Sequence, residues 1–112
     1  MIASTLQELK QSIRAIPDFP KQGIVFRDIT PLLNDRIKFR DCIDHFVTIT
    51  KEKVDFVVSI ESRGFIFGSA LAYALGAGFV PIRKEGKLPH KKHSKSYDLE
   101  YGTASIEIHE DA

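Results

Sequence analysis

The sequence is poor in cysteine: Cys42 is the only one among 112 residues. A lone thiol excludes an internal disulfide framework and a multi-cysteine metal site, and it points to a reducing, cytoplasmic setting. Net charge is equally sparing, +1 from 16 basic and 15 acidic residues, which gives no global reason to expect nucleic acid or anionic lipid as the main partner. Long apolar runs are scarce too. The one candidate, residues 64 to 82 (GFIFGSALAYALGAGFVPI), carries no charged side chain and is long enough to raise a transmembrane reading. Its punctuation argues against that reading. Gly76-Ala77-Gly78 reads as a helix stop, and FVPIR after it has the β-branched and aromatic character of a short strand. The N-terminal stretch MIASTLQELKQSIRAI lacks the unbroken apolar core of a signal peptide. Glu8, Lys10 and Arg14 at helical spacing make it an amphipathic helix, with Ser4 or Thr5 as N-cap.

What is present fits one α/β domain with a modest core, 43% hydrophobic and 28% charged. Residues 36 to 52 place Ile37, Phe39, Ile43, Phe46, Val47 and Thr50 among charges at spacings that suit a half-buried helix. VDFVVSI reads as a fully buried strand of a parallel sheet. Strand 54–60, helix 65–75 and strand 79–83 then form one βαβ unit. This puts Glu61, Ser62, Arg63 and Gly64 at the carboxyl end of a strand, where open α/β sheets bind ligands.

Two readings of that polar knot fit the residues. In the first, the amides of Arg63, Gly64 and Phe65 open a helix and favour an anion, Arg63 adds a fork suited to phosphate, and Gly64 lets a ligand approach the backbone. In the second, Glu61 and Ser62 cap the helix and Arg63 is a solvated surface charge. Residues 19 to 33, FPKQGIVFRDITPLL, read as an ordered loop in which Phe26 either stacks on a flat ring or packs in the core.

Residues 83 to 95 hold six Lys or Arg against one Glu, and residues 96 to 112 hold five acids and no Lys or Arg. The basic segment reads as a loop, either holding a polyphosphate or mobile and solvated. His90 and His93 sit three apart without a further ligand at suitable spacing, so no zinc site is expected. No aromatic residue interrupts the basic run, which argues against nucleic acid. YDLEYGTASIEIH reads as a β-hairpin with Glu100 and Tyr101 at its turn. Cys42 and His45 read as packing or surface residues on their helix.

PDFPKQGIVFRDITPLL, SIESRGFIFGSALAYALGAGFVPIRKEGKLP and SYDLEYGTASIEIHEDA, in that order, resemble the adenine phosphoribosyltransferase family of purine salvage from about Leu6 onward. The resemblance implies a type I phosphoribosyltransferase-like parallel sheet with a βαβ unit, an N-terminal adenine hood over residues 1–33, and a core part over 34–112 with a closing β-hairpin loop at about 84–104. It implies transfer of the phosphoribosyl group of 5-phosphoribosyl-1-pyrophosphate to adenine, giving AMP and pyrophosphate, in a cytoplasmic homodimer that binds neither nucleic acid nor membrane. Mg²⁺ is carried by the pyrophosphate, with no protein metal ligand.

Residue by residue, Val25, Phe26 and Arg27 match the adenine-binding hood. Glu61, Ser62, Arg63 and Gly64 match the pyrophosphate loop, with a strained, cis peptide implied near Ser62. Arg83, Lys84 and Lys87 match basic residues near the pyrophosphate, some reaching across the dimer interface, and Tyr101 joins the phosphoribosyl-binding set. The segment from about Leu88 to Tyr101 matches the loop that closes over the site, with Glu100 as catalytic acid or base on the purine nitrogens. The family's paired-Asp, Gly- and Thr-rich motif for the ribose and 5-phosphate is expected after Ala112, so the fold is expected to be incomplete in these 112 residues and their activity alone low. A non-catalytic nucleotide-sensing or partner-binding module, or a transferase for another purine, is the alternative.

Overall fold

The computed structural model describes residues 2–99 and 102–112. The chain forms two compact units, Met1–Lys51 and Glu52–Ala112.

The first unit opens with α1 (Leu6–Gln11). Thr5 caps it: its hydroxyl accepts from the Glu8 amide at 3.1 Å, and the Glu8 carboxylate reaches back to the Thr5 amide. The helix ends at Gln11 instead of running to Ile16 as its periodicity predicts. Arg14–Ile16 (β1) is drawn into an antiparallel pair with Phe26–Asp28 (β2), Ile16 opposite Phe26, and an Arg14–Asp28 ion pair at 2.9 Å closes the other end. Residues 19–33 therefore hold a strand and a short helix, α2 (Thr30–Leu33), with Pro31 in its first turn, where the sequence suggests a loop.

The long helix α3 (Arg36–Ile49) starts on Asp35, whose carboxylate accepts from the Ile37 and Lys38 amides. Midway along it, the fully buried Asp41 accepts from the Ala3 and Ser4 amides at 3.1 and 2.7 Å and from the Arg40 guanidinium. That clamp groups α3 with the N-terminal residues, whereas the sequence reading puts a boundary between 33 and 34. Leu9, Leu32 and Ile43 are the unit's buried apolar side chains.

In the second unit, β3 (Phe56–Ile60), α4 (Arg63–Leu75) and β4 (Gly78–Lys84) form the expected βαβ arrangement, with Phe56 beside Gly78 and Ile60 beside Ile82 in a parallel pair. The helix stops at Gly76, whose φ of +67° suits glycine, and the Ala77 amide donates to the Ala72 carbonyl at 2.9 Å. A hairpin follows: β5 (Lys92–Leu99) runs antiparallel to β6 (Gly102–His109), and β6 also pairs antiparallel with β4, Arg83 opposite Glu107. The sheet order is β3-β4-β6-β5, a mixed sheet with one parallel pair among the described strands.

Two expectations change here. Within the second unit, α4 covers one face of β3. Ser59 meets α4 so closely that a Cβ at Gly68 would lie 1.8 Å from its Oγ. Alternation along the strand puts Phe56, Val58 and Ile60 on the other face, 61%, 50% and 45% exposed. The basic stretch 83–95 is also not a continuous loop, because it begins with the end of β4 and its residues 92–95 open β5, held by the ladder to β6.

Candidate anion-binding site

Parallel pairing delivers the carboxyl ends of β3 and β4 to the same side of the sheet. Glu61 follows β3 there, and Arg83 and Lys84 finish β4. The Glu61 side chain is only 5% exposed. Its Oε1 accepts from the Lys84 backbone N–H at 2.6 Å and from Arg83 Nε at 2.9 Å, and its Oε2 accepts from Lys87 Nζ at 3.0 Å. The Lys84 amide above all, against the opposing effect of burial, and then Lys87 and Arg83, pull the carboxyl from its ordinary 4.5 down to about 2. Four of the residues singled out in the sequence, Glu61, Arg83, Lys84 and Lys87, are thus brought together. Within the group Glu61 is the common acceptor, pairing with the Arg83 and Lys87 cations and with the backbone amide of Lys84. The Arg83 guanidinium also lies over the Phe65 ring, 5.6 Å from its centroid.

The Glu61–Ser62 peptide is cis. Ser62 holds the N-cap position of α4 without a side-chain capping bond, so its hydroxyl is not the cap that one reading of the sequence offered. The helix begins at Arg63, two residues earlier than predicted, and the Phe65 amide donates to the Ser62 carbonyl at 3.1 Å within the first turn. A Cβ at Gly64 would stand 3.4 Å from the Ser59 Cβ, an ordinary contact, so the close approach of α4 to β3 does not itself require glycine there. Glu100 and Tyr101 lie outside the described residues.

One functional candidate was missed. Glu107 on β6 is 5% exposed in its side chain, and it accepts from the Gly86 amide and the Ser94 hydroxyl, both at 3.0 Å, with Lys92 Nζ 3.7 Å away. Burial pushes its carboxyl upward, but the Gly86 and Ser94 bonds and the Lys92 charge outweigh this and the net shift is downward. The available signal was an acid flanked by Ile106 and Ile108, hence on the opposite face of a strand from both.

In the first unit, Phe26 is half-buried and meets Phe19 edge-on, centroids 5.1 Å apart and planes at 73°. Phe19 is 51% and Val25 48% exposed, so the unit presents an aromatic pair with an open flank. Arg27, on the opposite face of β2, lines a cavity of about 360 Å³ with Lys10, Ile13 and Ile29. Cys42 is half-buried, and burial pushes its thiol up, away from reactivity. His45 Nε2 donates to the Ser4 carbonyl at 3.2 Å, a packing role. His90 Nε2 stands 3.6 Å from Asp111, and His93 pairs across the ladder with Ile108. Among the described residues no three metal-ligating side chains gather, and no helix is long and apolar enough to cross a membrane.

No family model matches the chain. It is 61% identical over 108 residues to the adenine phosphoribosyltransferase of Nostoc punctiforme, covering 94% of this chain and 63% of that protein. Over almost its whole length the chain is thus similar to adenine phosphoribosyltransferases. The Helicobacter pylori member is 59% identical over 110 residues, 95% of this chain and 60% of its own length. The crystal structure of adenine phosphoribosyltransferase from Thermoanaerobacter pseudethanolicus superposes with a TM-score of 0.89 at 54% identity, covering 96% of this chain and 63% of that one. The Saccharomyces cerevisiae family member, solved with an imino-altritol bisphosphate and adenine, gives 0.85 at 43% identity, covering 95% and 63%. The chain thus spans about three-fifths of the length of the relatives it matches. The α/β fold is that of these phosphoribosyltransferases.

Proposed function

We propose that the full-length protein transfers the phosphoribosyl group of 5-phosphoribosyl-1-pyrophosphate to adenine, giving AMP and pyrophosphate in purine salvage. The observation that carries this reading is the gathering of Arg83, Lys84 and Lys87 around Glu61 at the carboxyl end of a parallel strand pair. Displacing pyrophosphate from the anomeric carbon builds negative charge on the leaving group, and cations fixed beforehand stabilise it most at the transition state. Lys87 and Lys84 contact the pyrophosphate, Arg83 and Glu61 hold the arc in shape, and the start of α4 at Arg63 and Gly64 adds its dipole. Mg²⁺ enters as part of the substrate, borne by the pyrophosphate, whose charge it neutralises.

On the purine side, Phe26 lies against the adenine ring, and the backbone at Val25 and Arg27 reads the ring edge. Glu100 exchanges a proton with the imidazole nitrogens, and Tyr101 joins the phosphoribosyl contacts. Closure of the segment from Leu88 to Tyr101 excludes water, which otherwise hydrolyses the same electrophile. The working form is a cytoplasmic homodimer. The test is AMP formation from adenine, 5-phosphoribosyl-1-pyrophosphate and Mg²⁺, with guanine and hypoxanthine in parallel. Adenine is expected to be used at least tenfold better than either, on the order of the discrimination that edge hydrogen bonds supply. No nucleotide product, or equal use of another purine, would overturn the assignment.

A further inference from the structure

We propose that Glu107 is a positioning residue that fixes the basic turn Lys84–Lys87 for pyrophosphate; this rests on the phosphoribosyl-transfer reading above. All four backbone amides of that turn have acceptors. Lys84 donates to Glu61 Oε1 at 2.6 Å, Glu85 to the Ser105 carbonyl at 3.2 Å, Gly86 to Glu107 Oε1 at 3.0 Å and Lys87 to the Lys84 carbonyl at 3.3 Å. Two carboxylates from different elements therefore grip the turn from either side. Glu61 belongs to the loop that meets the ligand, whereas Glu107 stands in the middle of a sheet strand.

Its position makes it the fixed support. Glu107 lies directly opposite Arg83 on β4 and opposite Ser94 on β5, so the three form a row across the sheet. One oxygen holds the turn through Gly86, and the other holds β5 through the Ser94 hydroxyl. Gly86 has a φ of +84°, a conformation that other residues rarely adopt, and its amide is aimed at the carboxylate. The side chain is too sunken, at 5% exposure, to meet an anion itself, so it acts through the amide it holds. Without that acceptor the Gly86 amide is left unpaired, the turn loosens, and Lys84 and Lys87 spread over more geometries than the one suited to pyrophosphate.

The experiment uses the full-length protein and measures pyrophosphate and adenine binding by calorimetry, alongside AMP formation. Glu107→Ala is expected to weaken pyrophosphate binding and raise KM for 5-phosphoribosyl-1-pyrophosphate about tenfold, with adenine affinity unchanged. Glu107→Gln keeps an oxygen for Gly86 and an amide for Ser94, so it is expected to stay within about threefold of wild type. Equal losses for both ligands, no loss in Glu107→Ala, or damage by Glu107→Gln as large as by Glu107→Ala overturns the proposal. The Gly86 amide in wild type supplies a check that needs no Ala variant: its hydrogen exchange is expected to be slow, and exchange as fast as in an open loop also overturns the proposal. If wild type binds pyrophosphate yet forms no AMP, the phosphoribosyl-transfer reading fails while the Glu107 comparison still gives its answer.

Discussion

An aromatic pair with an open flank and a lysine tethered by a buried carboxylate serve different halves of the proposed reaction. Phe26 is steadied by Phe19 at 5.1 Å, an edge-on contact that contributes about 0.5–1.5 kcal/mol beyond area burial. Phe26→Ala is expected to raise KM for adenine on the order of tenfold and leave KM for 5-phosphoribosyl-1-pyrophosphate within twofold. Lys87 is held at 3.0 Å from Glu61 Oε2, and Lys87→Ala is expected to do the reverse. Steady-state kinetics with each substrate varied in turn separates the two, and parallel losses in either variant would show that the assignment of side chains to substrates is wrong. Glu107 went unread in the sequence, and the bonds of Glu61 could not be read from it, for a simple reason. Composition reveals a charge, but only three-dimensional pairing reveals whether it meets a ligand or organises the groups that do.

Among the elements, the seat of α4 on β3 decides where the loop between them can go. A Cβ at Gly68 would fall 1.8 Å from Ser59 Oγ, 2.8 Å from Ser59 Cβ and 2.9 Å from the Phe79 ring, while one at Gly64 meets nothing closer than 3.4 Å. Gly68→Ala is therefore expected to cost on the order of 1–3 kcal/mol by overpacking, and Gly64→Ala clearly less. Urea melts of the two variants give the ranking, and equal stability of both would contradict the close seat. This βαβ unit was legible because a β-branched run, a glycine helix stop and a second apolar run leave local signals within residues 54–83. The β1–β2 pair was not, since three-residue strands carry too little periodicity and owe their existence to each other. The exposed face of β3 was equally hidden, because an apolar run reads alike whether one face or two are covered.

Taken whole, the molecule rests on several carboxylates that folding makes more acidic. Thr30's hydroxyl and amide and the Arg14 charge lower Asp28. Ser4, Arg40 and the Ala3 amide hold Asp41 well below the usual range; Lys84, Lys87 and Arg83 bring Glu61 to about 2, and Glu107 is also lowered. Each depressed folded value means that the stabilisation is fully present above the ordinary range of 3.8–4.5 and is lost as acid drives the pH down toward 2. Urea midpoints are expected to be level from pH 7 to 5 and to fall steeply between pH 4.5 and 2.5, with a shallower fall in Glu61→Gln; a flat profile would show that these pairs contribute little.

The acids that hold the basic turn have a further consequence, in how an anion would arrive. Arg83, Lys84 and Lys87 are matched by Glu85 in the same turn and by Glu61 and Glu107, which hold that turn. Opposite charges this close cancel beyond about 10 Å, the screening length of ordinary buffer. The arc thus exerts no long pull on an approaching phosphate. Encounter is left to plain diffusion, and recognition begins only at contact.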